Sequence, residues 1–436
     1  MECSARAELF RTAARQKGKN VSIAANKGMN DILPGTVETW QYLEKSAREV
    51  FGTYGFSEIR TPVVEKTELF CRSIGETTDI VEKEMYTFAD KSDNSLTLRP
   101  EGTAPVMRAF IQNRLHALDP VAKLYYMGPM FRYERPQKGR YRQFHQIGAE
   151  VIGVEDPRID AQVLAMLHHY FCVIGIDAVE LQVNSLGCPA CRPAYRTALS
   201  AYLEACLTSL CGDCQRRYSS NPLRVLDCKA PGCQEATAAA PSVLEHLCAG
   251  CDEHFDAVKG HLQALAIPFR VNARMVRGLD YYVRTTFELV TDRLGSQNAV
   301  AAGGRYDGLV ESLGGPSLPG IGFAIGLERL VLMKGAAVEL APRPDLFFAA
   351  LGDEAASQAF LLMSKLQRSG IKAEMDYLGK SLKAQMRRAN KLNARFTLIL
   401  GDEELRTGRA ELKDMDQSNQ SSVALDGLEQ ELLTRL

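Results

Sequence analysis

The sequence predicts an α+β protein: an antiparallel sheet with helices, a helical cysteine-rich insertion, and a separate C-terminal α/β domain. Three observations predict it. Strand-like stretches between 123 and 153 follow one another without a long helix between them, as antiparallel strands can. Nine of the twelve cysteines fall between Cys188 and Cys251, on a background of helical patterns such as YRTALSAYLEAC. After a linker, APRPD at 341–345, short apolar strands alternate with helices.

The bulk numbers bound the answer. The 436 residues suffice for two to four domains, at roughly 100–200 residues each. With 46% apolar and 24% charged residues, the chain belongs with ordinary soluble globular proteins. No apolar run approaches the ~18 residues that span a bilayer, so no membrane association is expected. A net charge of −1 gives no overall attraction for a polyanion, so nucleic-acid contacts need local basic patches. The first twenty residues lack the apolar core of a secretory signal. They read either as an unstructured tail or as an Arg-rich transit peptide, against which Glu2 and Glu8 count. Twelve cysteines without a secretory signal point to reduced thiols in a cytosol, so a cytoplasmic location is expected.

Residues 36–54 read as an amphipathic helix, with Trp40, Leu43, Ala47, Val50 and Phe51 at helical spacing and Gly55 in the C′ place. The run 57–64 is strand-like, and Pro62 within it implies an edge or an interface. KLYYMGPMFRYE and FHQIGAEVIG read as two strands around the polar loop RPQKGRYRQ. Strand signals return in ARMVRGLDYYVRTTFELVT and again before Gly322. At the C-terminus DLFFAALG, IKAEMDY and RFTLILG are strands, and ASQAFLLMSKLQRSG and SLKAQMRRANKLNA are helices. That alternation predicts a mostly parallel sheet.

Three clusters carry chemistry. MFRYERPQKGRYRQFHQIGAE, 130–150, holds Arg132, Arg135, Lys138, Arg140 and Arg142. Guanidinium forks bind phosphate oxygens bidentately, although a solvated charged turn has the same composition. In PGIGFAIGLERLVLM, 319–333, glycines allow close backbone approach, and a helix starting near Gly326 would aim N–H groups and Arg329 at an anion. Plain packing uses such turns too. RPEGT, 99–103, offers Glu101 and Thr103 for an ammonium group, or forms a surface turn.

Together and in this order the clusters resemble the three motifs of class II aminoacyl-tRNA synthetases. GFSEIRTPVVE around Pro62 resembles motif 1, FRYE to FHQIGAE motif 2, and GIGFAIGLERL motif 3. Within that class the chain is most similar to the histidyl enzymes, through KGMNDILP, TLRPEGT, RGLDYYVRTTFE and AAGGRYDGL. The resemblance runs from about Lys27 to the C-terminus. It implies a tail at 1–21, a catalytic domain at 22–185 and 267–338, the Cys-rich insertion at 186–266, and an anticodon-binding domain at 343–436. It also implies a homodimer built on motif 1.

The resemblance further implies an ATP- and Mg²⁺-dependent ligase that joins L-histidine to tRNA(His) through a histidyl-adenylate. On that template Arg132 touches the α-phosphate, Arg329 the γ-phosphate, Glu134 the adenine amino group, and Phe144 stacks on adenine beside Gly326. Arg277, with Arg132 and Arg329, is implied to be catalytic: it stands where other class II enzymes use a metal ion, faces the reacting phosphorus and also contacts the histidine. Glu150 and Tyr282 read the imidazole, and Glu101, Thr103 and Gln146 hold the α-amino group. Tyr281, Gly304 and Arg305 shape the pocket floor. Strand alternation predicts that only one of Tyr281 and Tyr282 faces the site. Arg284 reads as a surface charge. Gln137 and Arg142 lie near the 5′ end of the tRNA. A regulatory relative of a histidine-pathway phosphoribosyltransferase shares the resemblance but usually lacks the C-terminal domain and RGLDYY, both present here. An RNA-binding protein that kept only the fold would not need Arg132, Arg277 and Arg329 together.

Cys188–Cys191, Cys211–Cys214 and Cys248–Cys251 are CxxC pairs, and Cys228–Cys233 is CxxxxC. These eight fit one or two tetrahedral Zn²⁺ sites, or reduced thiols packed in a small helical module. A closed thiolate shell would make any zinc structural.

Overall fold

The computed structural model describes residues 23–75, 78–295, 298–335 and 343–436. The expected tail, 1–21, and the first two residues of the APRPD linker lie outside them. The chain divides into two units, Met1–Ala337 and Val338–Leu436.

The first unit is built on an eight-stranded sheet ordered β1-β5-β6-β11-β10-β9-β7-β8. Its strands are β1 (Ser57–Glu58), β5 (Ala122–Phe131), β6 (Gln143–Ile152), β7 (Glu180–Ser185), β8 (Arg270–Val271), β9 (Val283–Val290), β10 (Ala299–Arg305) and β11 (Gly320–Gly326). The short edge strands β1 and β8 pair parallel; the pairings between them are antiparallel. A second sheet, β2-β4-β3, joins Val64–Lys66, Ser95–Leu98 and Tyr86–Ala89. The expected strand 57–64 is therefore split. Pro62 has no N–H for a ladder. The carbonyls of Thr61 and Pro62 turn to the Arg99 guanidinium instead.

Alternation sorts the central strands onto two faces. Tyr125, Ile147, Ala149, Val151, Phe287, Leu289, Ile321, Phe323 and Ile325 enter the main core. Helices Val37–Thr53 and Pro157–Val173 bury the same core, and Phe51 meets Tyr125, Tyr170 and Phe323 edge-on. The neighbours on the opposite face are small or polar: Gln146, Gly148 and Glu150 on β6, Glu288 on β9, Gly322 and Ala324 on β11. One face of the sheet carries the main hydrophobic core; the other carries a smaller apolar cluster, with Tyr126, Met130 and Ile152, and beside it a polar cradle.

The Cys-rich module spans helices Arg192–Ala205, Gly212–Ser220 and Pro231–Ala236 around a small core of Tyr195, Leu199, Leu203, Leu210, Val225 and Val243. Cys214 and Cys233 are buried in that core. Helix Ala249–Ala264 begins in the last CxxC pair, but Phe255, Val258 and Leu262 pack into the main core.

In the second unit β13 (Ala373–Met375), β12 (Leu346–Ala350) and β14 (Phe396–Leu400) are parallel, as the alternation with helices requires. β15 (Arg409–Asp414) and β16 (Gln420–Ala424) add two antiparallel pairings, so the sheet is mixed and not mostly parallel. The turn 415–419 is too short for a crossover, and Asp414 Oδ1 closes it by accepting from the N–H groups of Asp416 and Gln417. No helix among the described residues is long and apolar enough to cross a membrane.

Candidate active site

The polar face of the central sheet opens into a cavity of about 320 Å³. Its floor comes from β10 and β11, where Ala299–Ala302, Ala324 and Gly326 keep side chains out of the space. Gly322 lies opposite Glu150 in the β11–β6 register, and a Cβ there would collide with the Glu150 carboxylate. The glycine therefore makes room for a buried acid.

Arg132, Arg277 and Arg329 all reach this cavity. Arg132 Nε donates to the Pro100 carbonyl at 2.8 Å, and its guanidinium lies 5.3 Å from the centre of the Phe144 ring. Arg329 extends from helix Leu327–Lys334, which Gly326 caps, and donates to the carbonyls of Gly139 and Ala299. Burial holds both guanidinium pKa values below the ordinary one, and for Arg329 the charges of Arg140 and Arg132 add to this. All remain protonated, because arginine does not deprotonate in proteins. Arg277 donates to Glu288 and lies 5.2 Å from the Tyr282 ring centre. Burial lowers its pKa, but Glu288 and the neighbouring tyrosines carry it above the ordinary value. Three half-buried guanidinium groups around one cavity make a strongly anion-attracting space.

Carboxylates balance them. Glu101 is buried and accepts from the backbone N–H of Thr103 at 2.6 Å and of Ala104 at 2.8 Å. Burial still pushes its pKa up. Glu150 is fully buried behind the cavity wall and does not line it. It accepts from the Thr103 hydroxyl at 2.7 Å and the Tyr306 hydroxyl at 2.6 Å. Burial pushes its pKa up to about 8, although both hydroxyls pull against the rise.

The structure thus brings Glu101, Thr103, Arg132, Glu134, Phe144, Gln146, Arg277, Tyr281, Tyr282, Gly326 and Arg329 to one cavity. Tyr281 and Tyr282 both line it, against the alternation argument, because β9 begins only at Val283 and RGLDYY is irregular. Their rings lie 4.7 Å apart. Glu134 is paired with Arg140. Gln137 and Arg142 do not line the cavity. Gln137 closes the motif 2 loop through two backbone bonds with Arg140, and Arg142 stacks at 4.0 Å on Tyr133. Arg305 does not form the pocket floor: it turns away from the cavity, fully buried, toward Asp160. Arg284 is also not a plain surface charge. It has φ +48° and pairs with Glu155 at 2.7 Å.

Tyr126, Tyr306, Glu288 and Glu328 also belong to the site, although their sequence motifs point to no role for them. Tyr126 follows a core tyrosine by one place, and strand alternation alone would have turned it to the cavity. The Tyr126 hydroxyl, Gln146 Oε1 and Arg277 Nε are buried without a protein partner. All three belong to cavity residues, and a polar ligand there would satisfy them.

The eight paired cysteines gather into two clusters, Cys188, Cys191, Cys248 and Cys251, and Cys211, Cys214, Cys228 and Cys233. Sulfur atoms lie 3.6 Å apart for Cys188–Cys191, 3.8 Å for Cys188–Cys248 and 3.9 Å for Cys211–Cys228. A tetrahedron with Zn–S bonds of about 2.3 Å has edges of about 3.8 Å. Backbone N–H groups of Cys248 and Cys211 point at Cys191 and Cys233 sulfurs, both at 3.1 Å. The Cys214 N–H contributes most to holding the Cys211 thiol down to about 7, which favours a thiolate ligand.

Comparison with known proteins agrees with this geometry. The family model described as "Histidyl-tRNA synthetase" matches residues 28–330, and that described as "Anticodon binding domain" matches residues 345–435. The histidine–tRNA ligase of Syntrophotalea carbinolica is 71% identical over 415 residues, 95% of this chain and 99% of its own. That of Geobacter metallireducens is 66% identical, over 93% and 98%. The crystal structure of apo histidyl-tRNA synthetase from S. aureus superposes with a TM-score of 0.79 at 39% identity, covering 94% of this chain and 100% of that one. The chain belongs to the histidyl-tRNA synthetase family.

Proposed function

We propose that this chain activates L-histidine with ATP to histidyl-adenylate, releasing diphosphate, and transfers the histidyl group to the 3′ end of tRNA(His), releasing AMP. The observation that carries the reading is the single cavity in which Arg132, Arg277 and Arg329 face Glu101, Thr103 and Gln146. A cavity that holds both cations and ammonium acceptors suits a triphosphate and an amino acid held together.

In this reading Arg132 and Arg329 bind the α- and γ-phosphates, Glu134 and Phe144 hold adenine, and Gly326 lets the nucleotide approach the strand end. Glu101, Thr103 and Gln146 hold the α-amino group. Arg277 stabilises the charge that grows on the α-phosphate as the histidine carboxylate attacks. Tyr282 faces the imidazole with Tyr281 beside it. Glu150 acts through the hydroxyls of Thr103 and Tyr306, which its own oxygens already hold. Gln137 and Arg142 stay available to the tRNA, and the second unit is read as the anticodon-binding domain.

The cavity carboxylates are engaged: Glu101 by backbone N–H groups, Glu134 by Arg140, Glu288 by Arg277 and Glu328 by the His145 N–H. Engaged in this way they fit an all-protein Mg²⁺ cage poorly; a Mg²⁺ arriving with the nucleotide would supply neutralisation of phosphate charge. The two cysteine clusters would each hold a structural Zn²⁺. Free thiols and zinc thiolates both need a reducing compartment, so we read the protein as cytoplasmic. The homodimer formed around Pro62 is read from the family alone.

The test is amino-acid-dependent exchange of labelled pyrophosphate into ATP, with each of the twenty amino acids. Exchange is expected with histidine alone. Arg277→Ala should lower it on the order of 10²–10³-fold, the usual scale for removing one preorganised donor. No exchange with any amino acid would move the assignment to a regulatory relative.

A further inference from the structure

RGLDYY, 277–282, contributes four residues to the cavity wall, yet it has no regular secondary structure of its own. Its outer side is held by the Cys-rich module. Arg224 donates to the Gly278 carbonyl and lies 3.7 Å from Asp280 Oδ1. Asn221 Nδ2 donates to the same Asp280 oxygen at 3.2 Å. Arg192 donates to the Tyr282 carbonyl. Arg274, just before the loop, donates to the Thr237 and Ala238 carbonyls and to the Thr237 hydroxyl.

Each of these contacts is anchored close to a cysteine cluster. Arg192 directly follows Cys191. Asn221 and Arg224 lie between Cys214 and Cys228, in and just before the short helix Pro222–Asp227. Thr237 donates its hydroxyl to the Cys233 carbonyl, one turn away. The module has only a small core, and two of its buried members are cysteines of the inner cluster. A core of that size does not hold a loop rigidly by itself, whereas a tetrathiolate metal fixes the segments that ligate it.

We propose that the metal-bound Cys211–Cys214–Cys228–Cys233 cluster positions the histidine-facing loop 277–282, through Asn221 and Arg224 acting as positioning residues. The inference rests on the zinc reading above. Neither residue touches the cavity; they set where Leu279, Tyr281 and Tyr282 stand. Histidine recognition is then coupled to the metal state of the module, and a chelator or thiol oxidant would loosen the amino-acid pocket before the phosphate-binding end of the cavity.

The test uses the full chain loaded with zinc. Arg224→Ala should keep both zinc equivalents, measured by release to a colorimetric chelator. It should raise the KM for histidine roughly tenfold, the scale of one lost charge-assisted hydrogen bond, and leave the KM for ATP unchanged. Arg224→Lys should recover part of the loss. Amide hydrogen exchange in peptides covering 277–284 should speed up both in Arg224→Ala and after zinc removal from the wild type. Cys228→Ser should lose one zinc, and adding Arg224→Ala to it should raise the KM no further. Unchanged exchange at 277–284 on zinc removal, or equal rises in both KM values, would overturn the clamp. Faster exchange in a wild-type protein that shows no histidine-dependent activity would keep the clamp and sink the ligase reading instead.

Discussion

Arg305 and Asp160 form an ion pair at 2.8 Å with both side chains fully buried. Asp160 also takes His254 Nε2 at 2.9 Å, and Arg305 donates to the Val154 and Glu155 carbonyls. The pair therefore ties β10 to helix Pro157–Val173 and, through His254, to helix Ala249–Ala264. Removing one partner leaves a buried charge without its counterion, which costs about 3–5 kcal/mol. Arg305→Met should lower the urea midpoint accordingly at unchanged slope, with little effect on the KM for histidine. A stable variant with a raised KM would return Arg305 to the pocket floor.

Glu150 gives a pH dependence of known sign. Its folded pKa, about 8, lies above its ordinary 4.5 because burial disfavours the charged form. Between these values the unfolded chain has released the proton while the folded chain keeps it. Stability contributed by this group is thus present below about pH 4.5 and is lost as pH rises through about 8. Glu150→Gln carries no charge at any pH, so it should gain on the wild type steadily from pH 5 to pH 8. Urea midpoints at three pH values decide this, and parallel curves for the two proteins would refute it.

Arg277 is aimed by Glu288, whose carboxylate it meets across the cavity wall. Glu288→Gln keeps the shape but weakens a charge-assisted bond worth about 1.5–3 kcal/mol. In single-turnover adenylate formation the rate should fall on the order of ten- to a hundredfold, less than in Arg277→Ala. A double variant no slower than Arg277→Ala alone would show that Glu288 acts through the arginine; additive losses would contradict that.

What could be read from residues alone follows physical lines. The helix from Val37 and the β5–β6 hairpin carry strong periodicity, and both stand where their apolar spacing puts them. Arg132 and Arg329 were legible because local motifs fix them on the hairpin and at a helix start. Tyr281 and Tyr282 defeated the alternation rule because contacts from a distant module, not a sheet ladder, hold their loop. Arg305 departs from the pocket floor for a related reason. A signature string shows that a residue matters, but its partner Asp160, 145 positions earlier, decides which way it points. The pairing of the eight cysteines was closed to spacing arguments, since CxxC units combine equally well in any order.

That pairing yields the sharpest metal prediction. The clusters are nested: the outer CxxC units, at 188–191 and 248–251, join each other, and the inner four cysteines close a separate site. Cys188→Ser with Cys251→Ser damages one shell only and should cost one zinc of two. Cys188→Ser with Cys228→Ser damages both shells and should cost both. Each variant removes two thiols, so a general loss of affinity would affect them equally. Zinc counted by release to a colorimetric chelator separates the cases. If the first variant lost both ions, the outer units could not form one shell. If the second kept one, Cys188 and Cys228 would have to share a site, which their separate clusters exclude.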